Sequence, residues 1–148
     1  MVNSQQKGKA FEREVVHLMA KITGKEWHRV PNSGAFSTKY DVQDSRFKGD
    51  LYCEDKEYEE WLVECKITGE QLNFEALLSV KSEFWKWWAQ AMEEAKGKLP
   101  MLIFRCKYSP TFALMQEGHP AQALLTDGIG IVRGDLGELM LGKLEAKP

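Results

Sequence analysis

Long apolar runs are missing. None approaches the ~20 residues that a membrane-spanning helix needs, so no helical membrane span and no membrane partner are expected. Cysteine is scarce: Cys53, Cys65 and Cys106 are odd in number, lie in strand-like apolar runs and show no Cys-x-x-Cys spacing. Reduced core thiols are expected, not a zinc site or a disulfide framework. The three histidines, His17, His28 and His119, form no metal-binding pattern, so each is assigned a surface or satisfied structural role. A Gly-rich phosphate loop is absent. Gly128-Ile129-Gly130 lacks both the lysine of a P-loop and a strand–helix context, and no nucleotide cofactor is expected. Neither a Gly-x-Ser-x-Gly elbow nor a cysteine–histidine pair is present. Residues Met1 to Lys9 are polar, so no secretory signal is expected and the location is read as cytoplasmic.

What is present is an ordinary globular composition, 43% hydrophobic and 28% charged over 148 residues. That is enough chain for one domain with a real core. No repeat, low-complexity tract or internal boundary divides it, so residues 1–148 are read as a single domain. The net charge is only −2, but it is unevenly placed. Residues 1–50 carry nine Lys/Arg against six Asp/Glu, residues 51–75 two against eight, and the rest nine against eight. A basic excess in the first third is compatible with an anionic partner.

Helical spacing of Phe11, Val15, Leu18 and Ile22 predicts a helix from Ser4, as cap, to about Ile22, stopped by Gly24. Glu12 lies at the edge of its apolar stripe. Glu26–Val30 reads as a short strand ended by the turn signal Pro31-Asn32-Ser33-Gly34. The polar stretch Ala35–Lys48 is long for a loop in a compact domain. Lys39, Arg46 and Lys48 would suit a phosphate-contacting arm, or they are solvated surface charges. Gly49–Cys53 is a second strand, Glu54–Glu60 an acidic, solubilising turn, and Trp61–Ile67 a third strand. A helix is expected from about Phe74 or Ser79 to Lys96, with Leu77, Val80, Phe84, Trp88, Met92 and Ala95 on its buried stripe. Trp87 falls off that stripe, as a partner surface or under the tail. Pro100–Lys107 and Phe112–Gln116 read as a strand hairpin. Ala121–Thr126 reads as a short helix, with short apolar runs at Ile129–Val132 and Leu139–Leu144. The order implies an α/β protein with a central mixed β-sheet flanked by helices.

Chemistry concentrates in Trp61–Ile67. In a strand, Leu62, Glu64 and Lys66 share one face, and Trp61, Val63, Cys65 and Ile67 the other. If Gly49–Cys53 pairs with it, Asp50 and Glu64 can converge on one cation. Mg²⁺ prefers such oxygen ligands, and a lysine two residues beyond a ligand on the same face can orient or help deprotonate the attacking water. Spacing alone admits a second reading, a Glu–Lys pair facing solvent after an unrelated turn aspartate.

The motifs resemble the PD-(D/E)xK nuclease superfamily, and within it the archaeal-type Holliday-junction resolvases that also occur in some phages. The resemblance rests on Lys7-Gly8-x-x-x-Glu12-Arg13-Glu14, Arg29-Val30-Pro31-x-Ser33-Gly34, Gly49-Asp50-Leu51, Val63-Glu64-Cys65-Lys66, and the step into Leu99–Arg105. It spans about residues 7–107; residues 108–148 read as a C-terminal extension. It implies a restriction-endonuclease-like fold, with Glu12, Asp50, Glu64 and the Cys65 backbone carbonyl as ligands to Mg²⁺, for which Mn²⁺ would substitute. Lys66 would handle the nucleophilic water. Arg13, Arg29 and Ser33 would engage backbone phosphates, with Lys7 and the arm lysines and arginine on the same DNA. It further implies a homodimer cutting opposing strands of a four-way junction. Gly49 stands where the signature has proline, and the Ala35–Lys48 loop is longer than the family's. Two other functions are open at this level: a repair or restriction-type nuclease on linear DNA, and a non-catalytic DNA-binding module.

Overall fold

The computed structural model describes residues 3–31 and 48–147. The first helix, α1 (Ser4–Thr23), begins one residue earlier than expected because Asn3, not Ser4, is its cap. The Asn3 side chain accepts from the Gln6 N–H, and Gln6 reaches back to the Asn3 N–H, a reciprocal capping box. Gly24 ends the helix at φ 72°, a left-handed conformation that favours glycine. Strand β1 (Trp27–Arg29) pairs antiparallel with β2 (Leu51–Cys53), and β2 with β3 (Trp61–Ile67). Between β2 and β3, a turn of 3₁₀ helix (Lys56–Tyr58) is capped by Asp55, which also holds Lys25 at 3.1 Å.

Two short helices, α2 (Phe74–Leu78) and α3 (Glu83–Ala95), replace the single expected helix. Ser79 takes an extended backbone (ψ 117°), and Ser82 starts the new helix, so the periodicity loses phase between them. Val80 and Met92 are therefore exposed, while Phe84, Trp85, Trp88, Ala91 and Ala95 form the buried face. Trp87 is half-buried, packed against Phe104 at 6.3 Å, so neither an exposed surface nor the tail is needed to explain it. Helix α3 carries the chain across to β4 (Leu99–Arg105), which runs parallel to β3. β5 (Phe112–Gln116) completes the expected hairpin. The anticipated helix near Ala121 is a 3₁₀ turn, Pro120–Leu124. The last two apolar runs belong to a pair of longer strands, β6 (Leu125–Arg133) and β7 (Gly137–Leu144).

All seven strands form one mixed sheet in the order β1-β2-β3-β4-β5-β7-β6. Alternation along β3 and β4 divides the core. Val63, Cys65, Met101 and Ile103 pack under Phe11, Val15 and Met19 of α1. Leu102 and Phe104 pack on the other face under Phe84, Trp85 and Trp88 of α3. Each fully buried side chain of this size contributes roughly 1.5–3 kcal/mol. The layer order is that of a restriction-endonuclease-like α/β fold, as expected. The three cysteines are free and buried, also as expected. No helix among the described residues is long and apolar enough to cross a membrane.

Candidate active site

β3 holds the first part of the site. Glu64 is buried, 4% exposed, on the face toward α3, and Lys66 is half-buried beside it. A pair looking out into solvent is thereby ruled out. Burying a carboxyl is costly unless a hydrogen bond or opposite charge compensates it, and Glu64 hydrogen-bonds the side chains of Asp50 and Glu94. Desolvation first, then these two neighbours, push its pKa up to about 11. Glu64 accordingly carries the proton, and its single O–H can donate to one of the two neighbours at a time.

Asp50 is fixed from three sides. Its N–H donates to the Val63 carbonyl at 2.7 Å, its carbonyl accepts from Val30 N–H at 2.8 Å, and its Oδ2 accepts from Cys65 N–H at 2.7 Å. Burial raises its pKa, against the lowering pull of the Cys65 N–H, the Glu64 side chain and Lys66. Gly49 makes this approach possible. Its φ is +78°, and a Cβ there would lie 2.7 Å from the Val63 carbonyl oxygen. Proline, locked near φ −65°, does not fit this backbone, which explains the departure from the signature.

Glu12 reaches the site from α1. It is half-buried and accepts from Arg29 Nε at 3.0 Å. Burial and then the charge of Asp50 raise its pKa, while Arg29 lowers it. Cys65 contributes no thiolate, because burial and the neighbouring carboxylates raise its thiol well above its usual range. Its backbone carbonyl is the remaining donor. Arg13 is exposed and lines an open pocket of about 370 Å³ with Arg29, His17, His28 and Tyr52. Lys7, exposed, lines another of about 520 Å³ with Ile67 and Thr68 just beyond Lys66. Lys48 is half-buried two residues before Asp50. Ser33, Lys39 and Arg46 lie outside the described residues.

Sequence spacing gave no hint of Glu94, which falls between Ala91 and Ala95 on α3 and looks like a solvated helix position. Gln90, four residues earlier, donates from Nε2 to Glu94 Oε1 at 3.1 Å.

The donor set is all oxygen, the chemistry of a hard divalent cation. Among the described residues, however, no three His, Cys, Asp or Glu side chains are spaced to hold a metal ion as they stand. Asp50, Glu64 and Glu94 are instead joined through protons, and Glu12 through Arg29. Each of those proton and guanidinium contacts occupies a lone pair that a cation would take, so the residues fit the ion in kind.

Residues 3–133 match the family described as "Phage putative PDDEXK endonuclease". The chain belongs to that family. Nucleases of this class usually use divalent metals. The chain is also similar to "Protein D14" of Escherichia phage T5, 34% identical over 109 residues, which cover 70% of this chain. Those residues span 65% of that relative's length. No solved structure matches the chain.

Proposed function

We propose that this protein is a Mg²⁺-dependent DNA endonuclease that resolves four-way junctions by cutting two opposing strands. The observation that carries the reading is the buried Glu64, bonded to Asp50 and followed by Lys66, in a restriction-endonuclease-like fold. Glu12, Asp50, Glu64 and the Cys65 carbonyl would hold the cation, and Mn²⁺ would replace Mg²⁺. A bound divalent ion neutralises charge on the scissile phosphate and lowers the pKa of an attacking water. Lys66, two residues beyond Glu64 on the same face, would orient the attacking water through its ammonium donors. Arg29, now held by Glu12, turns to a backbone phosphate once Glu12 is engaged elsewhere, and Arg13, Lys7 and Ser33 bind neighbouring phosphates. Lys39, Arg46 and Lys48 form the arm that tracks the backbone. A non-catalytic module is disfavoured because buried carboxyls beside phosphate weaken DNA binding unless a cation is held. The whole chain acts as one domain in the cytoplasm, as a homodimer whose two-fold axis suits two equivalent scissile bonds.

The test is a substrate panel of four-way junction, linear duplex, nicked duplex and single strand, with Mg²⁺ or EDTA. Paired symmetric cuts confined to the junction support the reading. Preferential cutting of linear duplex replaces it with a repair or restriction-type activity. Neutralising Lys39, Arg46 and Lys48 is expected to weaken junction binding and to flatten its salt slope; an unchanged slope returns the arm to a solvated loop.

A further inference from the structure

An aromatic side chain stands on a left-handed backbone in the hairpin between β4 and β5. Tyr108 takes φ +61° there, a conformation that glycine or asparagine adopts readily and that is an outlier for a bulky residue. The turn fixes it in place. Ser109 N–H donates to the Cys106 carbonyl at 3.1 Å, and Ser109 Oγ accepts from Cys106 N–H at 2.9 Å. Lys107 N–H donates to the Glu70 carbonyl at 3.0 Å. What the strained turn presents is a ring in solvent. Tyr108 is 84% exposed, with Lys107 Nζ 5.1 Å from its centroid. So exposed a ring buries too little surface to offset the strain.

Its place in the fold connects it to the site. β3 and β4 run parallel, with Lys66 beside Phe104 and Ile67 beside Arg105. Contact continues past the strands, where Thr68 N–H donates to the Arg105 carbonyl at 3.1 Å. Tyr108, three residues beyond Arg105, therefore stands at the end of the sheet where Lys66 lies. Lys7, Ile67 and Thr68 line an open pocket at that end. Phe74, also 84% exposed, opens α2 four residues after Glu70. Backbone strain kept at an exposed residue beside an active site points to function.

We infer that Tyr108 is a stacking platform for an unpaired nucleobase of the DNA substrate, with Lys107 beside it for the adjoining phosphate. This role rests on the proposed nuclease reading and names a feature of the substrate that the site selects, an unpaired strand in preference to continuous duplex. Aromatic faces next to cations hold single strands without regard to sequence, because every base has a π-face. In a closed duplex the bases are already stacked on one another, so the same ring gains nothing there.

The experiment compares one duplex with and without a short unpaired thymidine arm. Binding to the full chain is measured in EDTA by fluorescence anisotropy for the wild type, Tyr108→Phe and Tyr108→Leu, and circular dichroism confirms folding. The wild type should bind the armed duplex about 5–150-fold more tightly, the factor expected for one stacked base. Tyr108→Phe should keep that preference. Tyr108→Leu, which keeps an apolar side chain on the same backbone but has no ring, should lose it with affinity for the plain duplex unchanged. A wild type without the preference overturns the inference and leaves the nuclease reading intact. So does a Tyr108→Leu that keeps the preference or weakens both DNAs equally, and so does a Tyr108→Phe that loses it. A wild type that binds neither DNA and in Mg²⁺ cleaves none overturns the nuclease reading itself, and this inference with it.

Discussion

Glu64→Gln should make the protein more stable and inactive at once. Glu64 is 4% exposed, its carboxyl beside Asp50 and Glu94, with its pKa pushed up to about 11 from an ordinary 4.5. The folded protein therefore keeps a proton there that the unfolded chain gives up above pH 4.5. A group raised in the folded state contributes stability that is present below its unfolded pKa and lost as pH rises through the window up to the folded value. The loss is about 1.4 kcal/mol per pH unit. At pH 7.5, three units above the ordinary value, this amounts to about 4 kcal/mol. Glutamine has the same shape, donates to both neighbours and has no proton to lose. Asp50 and Glu12 are raised too, but they are common to both proteins and largely cancel in the difference. In EDTA, wild-type stability should fall steadily between pH 6 and 9, and the variant's should be nearly flat. At pH 7.5 the variant should be more stable by about 2–4 kcal/mol. For a chain of this size that corresponds to a Tm higher by roughly 5–15 °C. Urea melts at several pH values read this directly. Parallel stability curves, or a variant no more stable than wild type at pH 8, would refute the buried-proton account of the site.

Other outcomes follow from single positions. Gly49→Ala must adopt φ +78° and meet the Val63 carbonyl oxygen at 2.7 Å. The left-handed backbone alone costs about 1–2 kcal/mol, so a clear drop in Tm and loss of cleavage are expected. An unchanged Tm would show that the turn relaxes freely. His119 is buried against Trp61, its Nδ1 accepts from Ala121 N–H, and desolvation lowers its pKa to about 4 from 6.5. Its stabilisation is complete above pH 6.5 and is lost as pH falls toward 4, by about 3 kcal/mol in all. His119→Asn, which can still cap the turn, should flatten the acid limb of the stability curve; an unaltered limb would place the acid sensitivity elsewhere. Asn3→Ala removes the cap of α1 and should cost about 1 kcal/mol, seen as a small Tm decrease with cleavage retained.

Much of this architecture was legible in the chain because two periods, 2 and 3.6, carry it. Alternation along Trp61–Ile67 put Glu64 and Lys66 on one face, and that face proved to be the one under α3. Gly24 and Gly97 mark helix ends where a left-handed or glycine backbone is needed. Where local geometry resets the phase, the pattern misleads: the extended backbone at Ser79 broke one expected helix into two and turned Val80 and Met92 outward. In the tail, Gly128 and Gly130 interrupt the alternation, so a nine-residue strand looked like a four-residue apolar run. Asp50 was legible as a partner to Glu64, but its hold on the Cys65 N–H required β2 and β3 to pair in register. Glu94 was illegible, since contact between α3 and β3 arises from the parallel crossover and no local spacing encodes it.

The most direct test of the central claim compares wild type, Asp50→Asn and Lys66→Ala on a labelled four-way junction in Mg²⁺, with binding measured in EDTA. The account predicts paired strand cuts by the wild type. It predicts cleavage lowered by a factor of at least about 10³ in both variants, in the range for removal of a metal ligand or of the group that positions the attacking water. Junction affinity should be nearly unchanged. Cleavage that survives in Asp50→Asn and Lys66→Ala, or junction binding that disappears together with cleavage, would contradict it.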